Sequence, residues 1–255
     1  MNKEKYLLRI GISDENLSAD LDTLKLLQRH HLLHVPFENL DIHWKRPIIL
    51  DTGKFYEKIV DDLRGGFCYE LNGLFNELLS DVGFTTKLVS ARVADGKDGF
   101  GPEYDHAALI VTIVDTEYLS DVGFGAFSGG PLRLVLNEEQ QDEAGIFVIK
   151  HFDDGYYEAA KKVDAEGYRS EYIFKQFGRD LSEFVEMCDF QQYSPQSHFT
   201  KGKVCSLLTE TGRKTLTDKN FIVTKDGEKT ETPIGSEDEF DRILMREFNI
   251  ARQQL

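Results

Sequence analysis

Apolar residues recur at helical spacing through the first third of the chain. Leu21, Leu24, Leu27 and His31 follow steps of three and four, with Ser18 placed to cap the helix and Pro36 to stop it near His34. The pattern repeats more sharply after Arg64-Gly65-Gly66-Phe67, where Leu71, Leu74, Phe75, Leu78 and Leu79 form one apolar stripe and Gly83 supplies the stop. Cys68 then falls in the first turn of that helix. From Thr85 the period changes to two, and the runs 85–93, 106–114, 118–122 and 132–136 read as strands separated by Gly, Asp and Pro clusters. The last third is mixed. Strands are expected at 203–209 and 221–224, with Asp226-Gly227 as a hairpin turn, and Ser236-Glu237-Asp238-Glu239 reads as a capping box before Phe240, Ile243, Leu244 and Phe248. With no repeat and no low-complexity linker, the pattern divides the chain into a helical domain (1–84), a β-domain (85–190) and a mixed domain (191–255).

Composition narrows the class. Of 255 residues, 30 are basic and 45 acidic, a formal net charge of −15, while 40% are hydrophobic, enough to build a buried core. So acidic a chain, with no basic stretch, is opposed to nucleic acid and to anionic membrane. The three cysteines, 68, 188 and 205, are too few and too scattered for a disulfide framework or a zinc site, which points to a reducing compartment. The N-terminal apolar run breaks at Arg9, too early for a signal peptide, and the longest clean apolar stretch, 107–111, is far too short to span a membrane. A soluble cytoplasmic protein is expected.

Cys68 carries the most chemical interest. It follows two glycines at a helix start, where free backbone N–H groups and the helix dipole favour a thiolate. Cys188 and Cys205 lack such surroundings and read as buried structural residues. A nucleophilic thiol needs a base within reach and a third group to orient it. His106 opens a strand and Asp121 ends the next, which gives a Cys, His, Asp order like that of papain-like and transglutaminase-like sites. The register resists this. If Asp115-Thr116 make a two-residue turn, Asp121 faces Ile110, and the four residues from there to His106 span about 13 Å. A bulge, a different turn or non-adjacent strands would then be required.

The run Arg64-Gly65-Gly66-Phe67-Cys68-Tyr69-Glu70-Leu71-Asn72 resembles the active-site signature of the arylamine N-acetyltransferases. Val35-Pro36-Phe37-Glu38-Asn39-Leu40, His106 and Asp121-Val122-Gly123-Phe124-Gly125 are similar to further segments of that family, in its order and near its spacing. The resemblance implies an α+β fold with an N-terminal helical bundle, a central β-barrel and a C-terminal α/β lid around a Cys68, His106, Asp121 site. It implies acetyl-coenzyme A as co-substrate with no tightly bound cofactor or metal, and an aromatic amine or hydrazine as acceptor. Acetyl would pass through Cys68 by a ping-pong route. The N–H of Cys68 and one from Glu103 or Tyr104 would serve the oxyanion. By the same resemblance, Phe124 and Val93 line the acceptor pocket. Phe37, Phe67, Tyr69, Phe100, Tyr104 and Phe127 are aromatic neighbours in sequence, and Gly125, Ser128, Gly129 and Gly130 lie near the cofactor's entry, where short side chains let backbone approach a pantetheine arm or phosphate.

Other signals read as structural. His30, His31 and His34 have metal-like spacing without a third ligand, and Glu38 with Arg64 reads as an ion pair supporting the glycine turn. Coenzyme A is polyanionic, so an acidic chain needs local exceptions, for which Arg133, Lys201, Lys203, Arg213 and Lys214 are the candidates. The same three residues also fit a hydrolase or transpeptidase, an amide synthase taking longer acyl chains, or a ligand-binding protein that keeps the motif without turnover.

Overall fold

Asp20, not Ser18, starts the first long helix. Its carboxylate accepts the N–H of Thr23 and heads α2, Leu21–His34, which follows a short α1, Lys3–Arg9. The computed structural model describes residues 1–13, 16–97, 99–125, 127–163 and 167–252. A two-residue strand β1, Phe37–Glu38, leads into short helices α3, Leu40–His43, and α4, Thr52–Tyr56, and then into α5, Cys68–Val82, closed by Gly83. The apolar stripe of α5 is buried, and it packs with α1, α2 and one side of the following sheet in a shared core.

Eight antiparallel strands come next: β2 Thr85–Val93, β3 His106–Ile113, β4 Thr116–Ser120, β5 Leu132–Arg133, β6 Gln140–Asp142, β7 Gly145–His151, β8 Tyr157–Lys162 and β9 Tyr168–Phe174. Their spatial order is β5-β4-β3-β2-β9-β8-β7-β6, and the sheet curls into a nearly closed barrel around Val89, Ala108, Ile110, Phe147, Ile149 and Tyr172. A side chain bridges the two edge strands: Gln140 accepts the Arg133 N–H at 2.7 Å and donates to its carbonyl at 2.9 Å. Of the strand expected at 132–136, only Leu132–Arg133 forms.

Helix α6, Val185–Tyr193, runs to the last unit, where β10 Val204–Thr209, β11 Gly212–Thr217, β12 Asn220–Lys225 and β13 Glu228–Pro233 form a five-stranded sheet completed by β1 at its edge. Asp226 and Gly227 make the expected turn, both with positive φ. Helix α7, Glu237–Phe248, covers one face of this sheet through Phe240, Ile243, Leu244 and Phe248. Only half of the anticipated capping box forms, because Ser236 accepts the Glu239 N–H while the Glu239 carboxylate turns to Gly235. The architecture is α+β, and among the described residues no helix is long and apolar enough to cross a membrane.

Two buried polar groupings stand out in the helical part. Arg64 donates to Glu38 at 2.6 Å and to Asp41 at 3.0 Å, and Lys58 binds Asp41 at 2.8 Å and Glu70 at 2.9 Å. Burial would lift the Asp41 carboxyl, but the two cations overcome it and hold it below its ordinary range. This network anchors the turn ahead of Cys68, where a Cβ on Gly65 would lie 2.0 Å from the Pro36 carbonyl oxygen, so no other residue fits. Removing one partner would strand a buried charge at a cost of about 3–5 kcal/mol. The second grouping is His31, fully enclosed between Tyr6 and Phe75, with both ring nitrogens lacking a partner among the described residues. His30 instead stacks on His34, so the three histidines pack and do not converge.

Burial lowers the His31 pKa from 6.5 to about 3. The unfolded chain takes up this proton below about pH 6.5 while the folded chain refuses it, so stability falls as the pH drops through that window. Between pH 7 and pH 5 the expected loss is about 2 kcal/mol. Urea unfolding at both values should show it for the native chain and not for His31→Leu; an equal drop in both would assign the effect elsewhere.

Candidate active site

Cys68 is the first residue of α5 and is 3% exposed. The Glu70 carboxylate accepts the Phe67 N–H at 3.0 Å, which fixes the entry into the helix beside the ion network. Burial pushes the Cys68 thiol well above its ordinary pKa, against a smaller opposing pull from the Ala107 N–H. The thiolate expected from the helix start alone is thus outweighed by desolvation.

His106 and Asp121 meet: Nε2 lies 2.7 Å from Oδ2, with both side chains buried. The register explains how. Ile113 pairs with Thr116 and Leu109 with Ser120, so the turn is Val114-Asp115, one residue earlier than the sequence suggests. An exposed valine at φ 54° occupies it, a conformation that β-branched residues avoid. Extending the ladder sets Asp121 opposite Ala108, a diagonal neighbour of His106 at about 7 Å between α-carbons, which two side chains can span.

Asp121 has three further donors. Asn72 Nδ2 lies 2.9 Å from Oδ1, the Gly123 N–H lies 2.8 Å from Oδ1, and Tyr172 Oη lies 3.1 Å from Oδ2. Asn72 also donates to the Ala107 carbonyl at 2.7 Å and accepts the Val122 N–H at 3.0 Å. One amide, a single helical turn beyond Cys68, therefore ties the cysteine's helix to the strand of His106 and the loop of Asp121. Tyr172 stays a donor, since burial and the neighbouring carboxylate push its phenol well above the usual range. Asn72 could have been found from its i+4 position. Tyr172, on a strand that the sequence pattern left unread, offered no local sign.

An aromatic wall flanks the histidine. Phe124 packs 5.0 Å from the His106 ring and 5.1 Å from Tyr172, and Phe127 packs 5.2 Å from Tyr172. Val93 pairs with Tyr172 in the ladder, and Phe37 reaches the Cys68 neighbourhood through Phe199, which also contacts Phe67. Phe100 lies elsewhere, against Phe152. Gly125 is exposed and Ser128 is buried with its hydroxyl unpartnered among the described residues. Two backbone donors expected to be open are occupied: Gly129 and Gly130 give their N–H groups to Asp142, at 2.7 and 3.3 Å. The Tyr104 N–H is likewise bound by Ser90 Oγ at 2.7 Å. Among the described residues no three His, Cys, Asp or Glu side chains are grouped to hold a metal.

A family model described as N-acetyltransferase matches residues 20–254. The chain is 32% identical to the chicken (Gallus gallus) arylamine N-acetyltransferase of the pineal gland, isozyme NAT-3, over 98% of this chain and 94% of that one. The chain belongs to the arylamine N-acetyltransferase family. It is 31% identical to the Escherichia coli arylamine N-acetyltransferase over 89% of this chain and 80% of that one. Its fold is similar to that of the Mycobacterium smegmatis arylamine N-acetyltransferase, with a TM-score of 0.91 at 29% identity, covering 98% of this chain and 92% of that one. It is also similar to the Mycobacterium marinum arylamine N-acetyltransferase solved in complex with CoA, with a TM-score of 0.88 at 26% identity, covering 98% and 93%.

In this N-acetyltransferase the loop after Asp121 has almost no room. A Cβ on Gly123 would fall 2.8 Å from the Cys68 Cα and 2.7 Å from Asn72 Nδ2, so Gly123→Ala must displace the carboxylate loop from the helix. A fold that survives with a shift near 1 Å is expected to lose about 10²-fold in acetyl-transfer kcat/KM. Unaltered kinetics in a folded Gly123→Ala protein would show that this contact does not set the geometry.

Proposed function

We propose that this enzyme transfers acetyl from acetyl-CoA to the nitrogen of arylamines, arylhydrazines or related acceptors, with Cys68 as nucleophile, His106 as general base and acid, and Asp121 as the group that orients and stabilises the imidazole. The observation that carries the reading is the 2.7 Å His106–Asp121 bond, tied through Asn72 to the helix that begins at Cys68. The family of the chain and the CoA complex of its M. marinum relative support the donor.

Each step follows from the residue types. Burial resists loss of the Cys68 proton to solvent, but its transfer to His106 leaves the net charge of the site unchanged and puts an imidazolium beside Asp121. The sulfur adds to the thioester carbonyl, and CoA leaves as a thiol with the proton from His106. The acceptor nitrogen then attacks acetyl-Cys68 while His106 takes its proton and returns it to the departing sulfur. The oxyanion is served by the Cys68 N–H at the helix start, and of the two other candidates the Tyr104 N–H is already bound by Ser90, which leaves Glu103. Phe37, Val93, Phe124 and Phe127 form an apolar slot for a flat ring, with Gly125 and Ser128 at its edge. On this reading the helical part (1–84) carries the nucleophile, the barrel part (85–190) carries His106 and Asp121, and 191–255 acts as the lid. All three cysteines are free and buried.

Incubation with acetyl-CoA and no acceptor should leave one acetyl group on the peptide containing Cys68, discharged by adding an arylamine. Cys68→Ala should abolish turnover, and Asp121→Asn should lower kcat by roughly 10³–10⁴-fold. Amide hydrolysis without transfer to an amine would replace this reading with a hydrolase.

A further inference from the structure

An acidic chain must still hold a polyanionic donor, and the structure removes most of the cations that the sequence offers for it. Arg133 is paired with Glu138 at 2.7 Å, Lys203 with Glu237 at 2.6 Å and Asp218 at 3.3 Å, and Lys214 with the Glu247 backbone and carboxylate. Lys201 reaches the Gln196 carbonyl on the exposed surface. Arg213 is different. Its guanidinium is half-buried and donates to the Ser206 hydroxyl at 3.1 Å, and among the described residues it has no carboxylate partner. Burial with no opposing charge lowers its pKa to about 10.

The strand register says where Arg213 points. Cys205, Leu216 and Phe221 share the sheet face covered by α7, together with Lys214 over Phe248. Ser206, Thr215 and Arg213 lie on the opposite face, and so does Phe37, which pairs with Ser206 and contacts Phe199 beside Phe67. Two strands and two residues separate Phe37 from Arg213, about 12 Å between α-carbons. Arg213 therefore shares the face that carries Phe37 toward the Cys68 neighbourhood.

From the barrel, Lys161 lies near it, close enough that Arg213 is among the charges lowering the pKa of the ammonium group. The Lys161 Nζ sits 5.3 Å from the centre of the Phe147 ring, which itself packs against Phe127 of the aromatic wall. The acids facing Lys161 are engaged elsewhere: Glu171 holds Arg169 at 2.8 Å, and Asp142 accepts the N–H groups of Gly129, Gly130 and Ala144. Two cations thus face one seam, between the C-terminal sheet and the barrel, and among the described residues neither is ion-paired with a carboxylate.

We propose that Arg213 and Lys161 form the subsite for the phosphate groups of the acyl donor. This rests on the reading of acetyl-CoA as that donor. The test compares acetyl-CoA with acetyl-pantetheine, which carries the same thioester and no phosphate, in the native enzyme and in Arg213→Ala, Arg213→Lys and Lys161→Ala. Arg213→Ala is expected to raise the KM for acetyl-CoA about tenfold, the loss of one charge-assisted contact, with kcat within twofold. Arg213→Lys should recover part of this, Lys161→Ala should shift KM in the same direction, and the KM for acetyl-pantetheine should stay put in all three. An unchanged KM for acetyl-CoA in both alanine variants overturns the proposal, as does an equal weakening of both donors, which would mark a structural role. A native enzyme that turns over neither thioester overturns the donor reading and this subsite with it.

Discussion

The Asp121 carboxylate is the constraint around which the site is built. It is 2% exposed, and a buried carboxylate is tolerable only if its lone pairs are satisfied. Four donors do so: an imidazole from β3, an amide from α5, a phenol from β9 and a backbone N–H from its own loop. Each comes from a different part of the chain, so moving any of these elements would leave part of the carboxylate unpaired. The helical bundle and the barrel are thereby set against each other at this point, by a requirement that apolar packing alone does not impose.

Helix α5 is held from both sides of its first turn. On one side Asn72 joins it to the barrel; on the other Glu70 joins the Lys58, Asp41, Arg64 and Glu38 network that supports the preceding turn. Such a network contributes less to stability than an apolar replacement of similar volume often would. What it does define is direction, because bidentate and charge-assisted contacts accept few geometries. The Glu70 and Asn72 contacts, two and four residues after Cys68, leave the first turn of the helix little freedom to shift. A sulfur so enclosed resists ionising to water.

Local patterns in the sequence carried most of the fold. The stripe from Leu71 to Leu79 placed α5 correctly, and the strand 85–93 matches β2, because side-chain periodicity and burial act within one element. Where tertiary forces override local preference the sequence misleads. Val114 takes a left-handed turn position that its own propensity opposes, and that single residue moves Asp121 two places along the ladder toward His106. Long-range partners leave no local trace either: Tyr172 meets Asp121 across 51 residues, and Asp142 fills the N–H groups of Gly129 and Gly130 from a strand beyond them. The motif run around Cys68 was legible because its chemistry is local; the groups that hold its partners in place are not.

Charge shows the same division between composition and position. A net charge of −15 describes the long-range field, which falls off over roughly 10 Å in physiological salt. A phosphate held within a few ångströms responds instead to the nearest uncompensated donors. Which cations remain uncompensated depends on how the carboxylates are spent on internal work, and here Asp142 caps a glycine loop, Glu171 holds Arg169 and Glu237 holds Lys203. An excess of acids therefore does not neutralise Arg213, whose sheet face presents hydroxyls in place of carboxylates at Ser206 and Thr215. An acidic protein can in this way keep a cationic subsite, provided that the fold places its acids where backbone N–H groups and other cations occupy them.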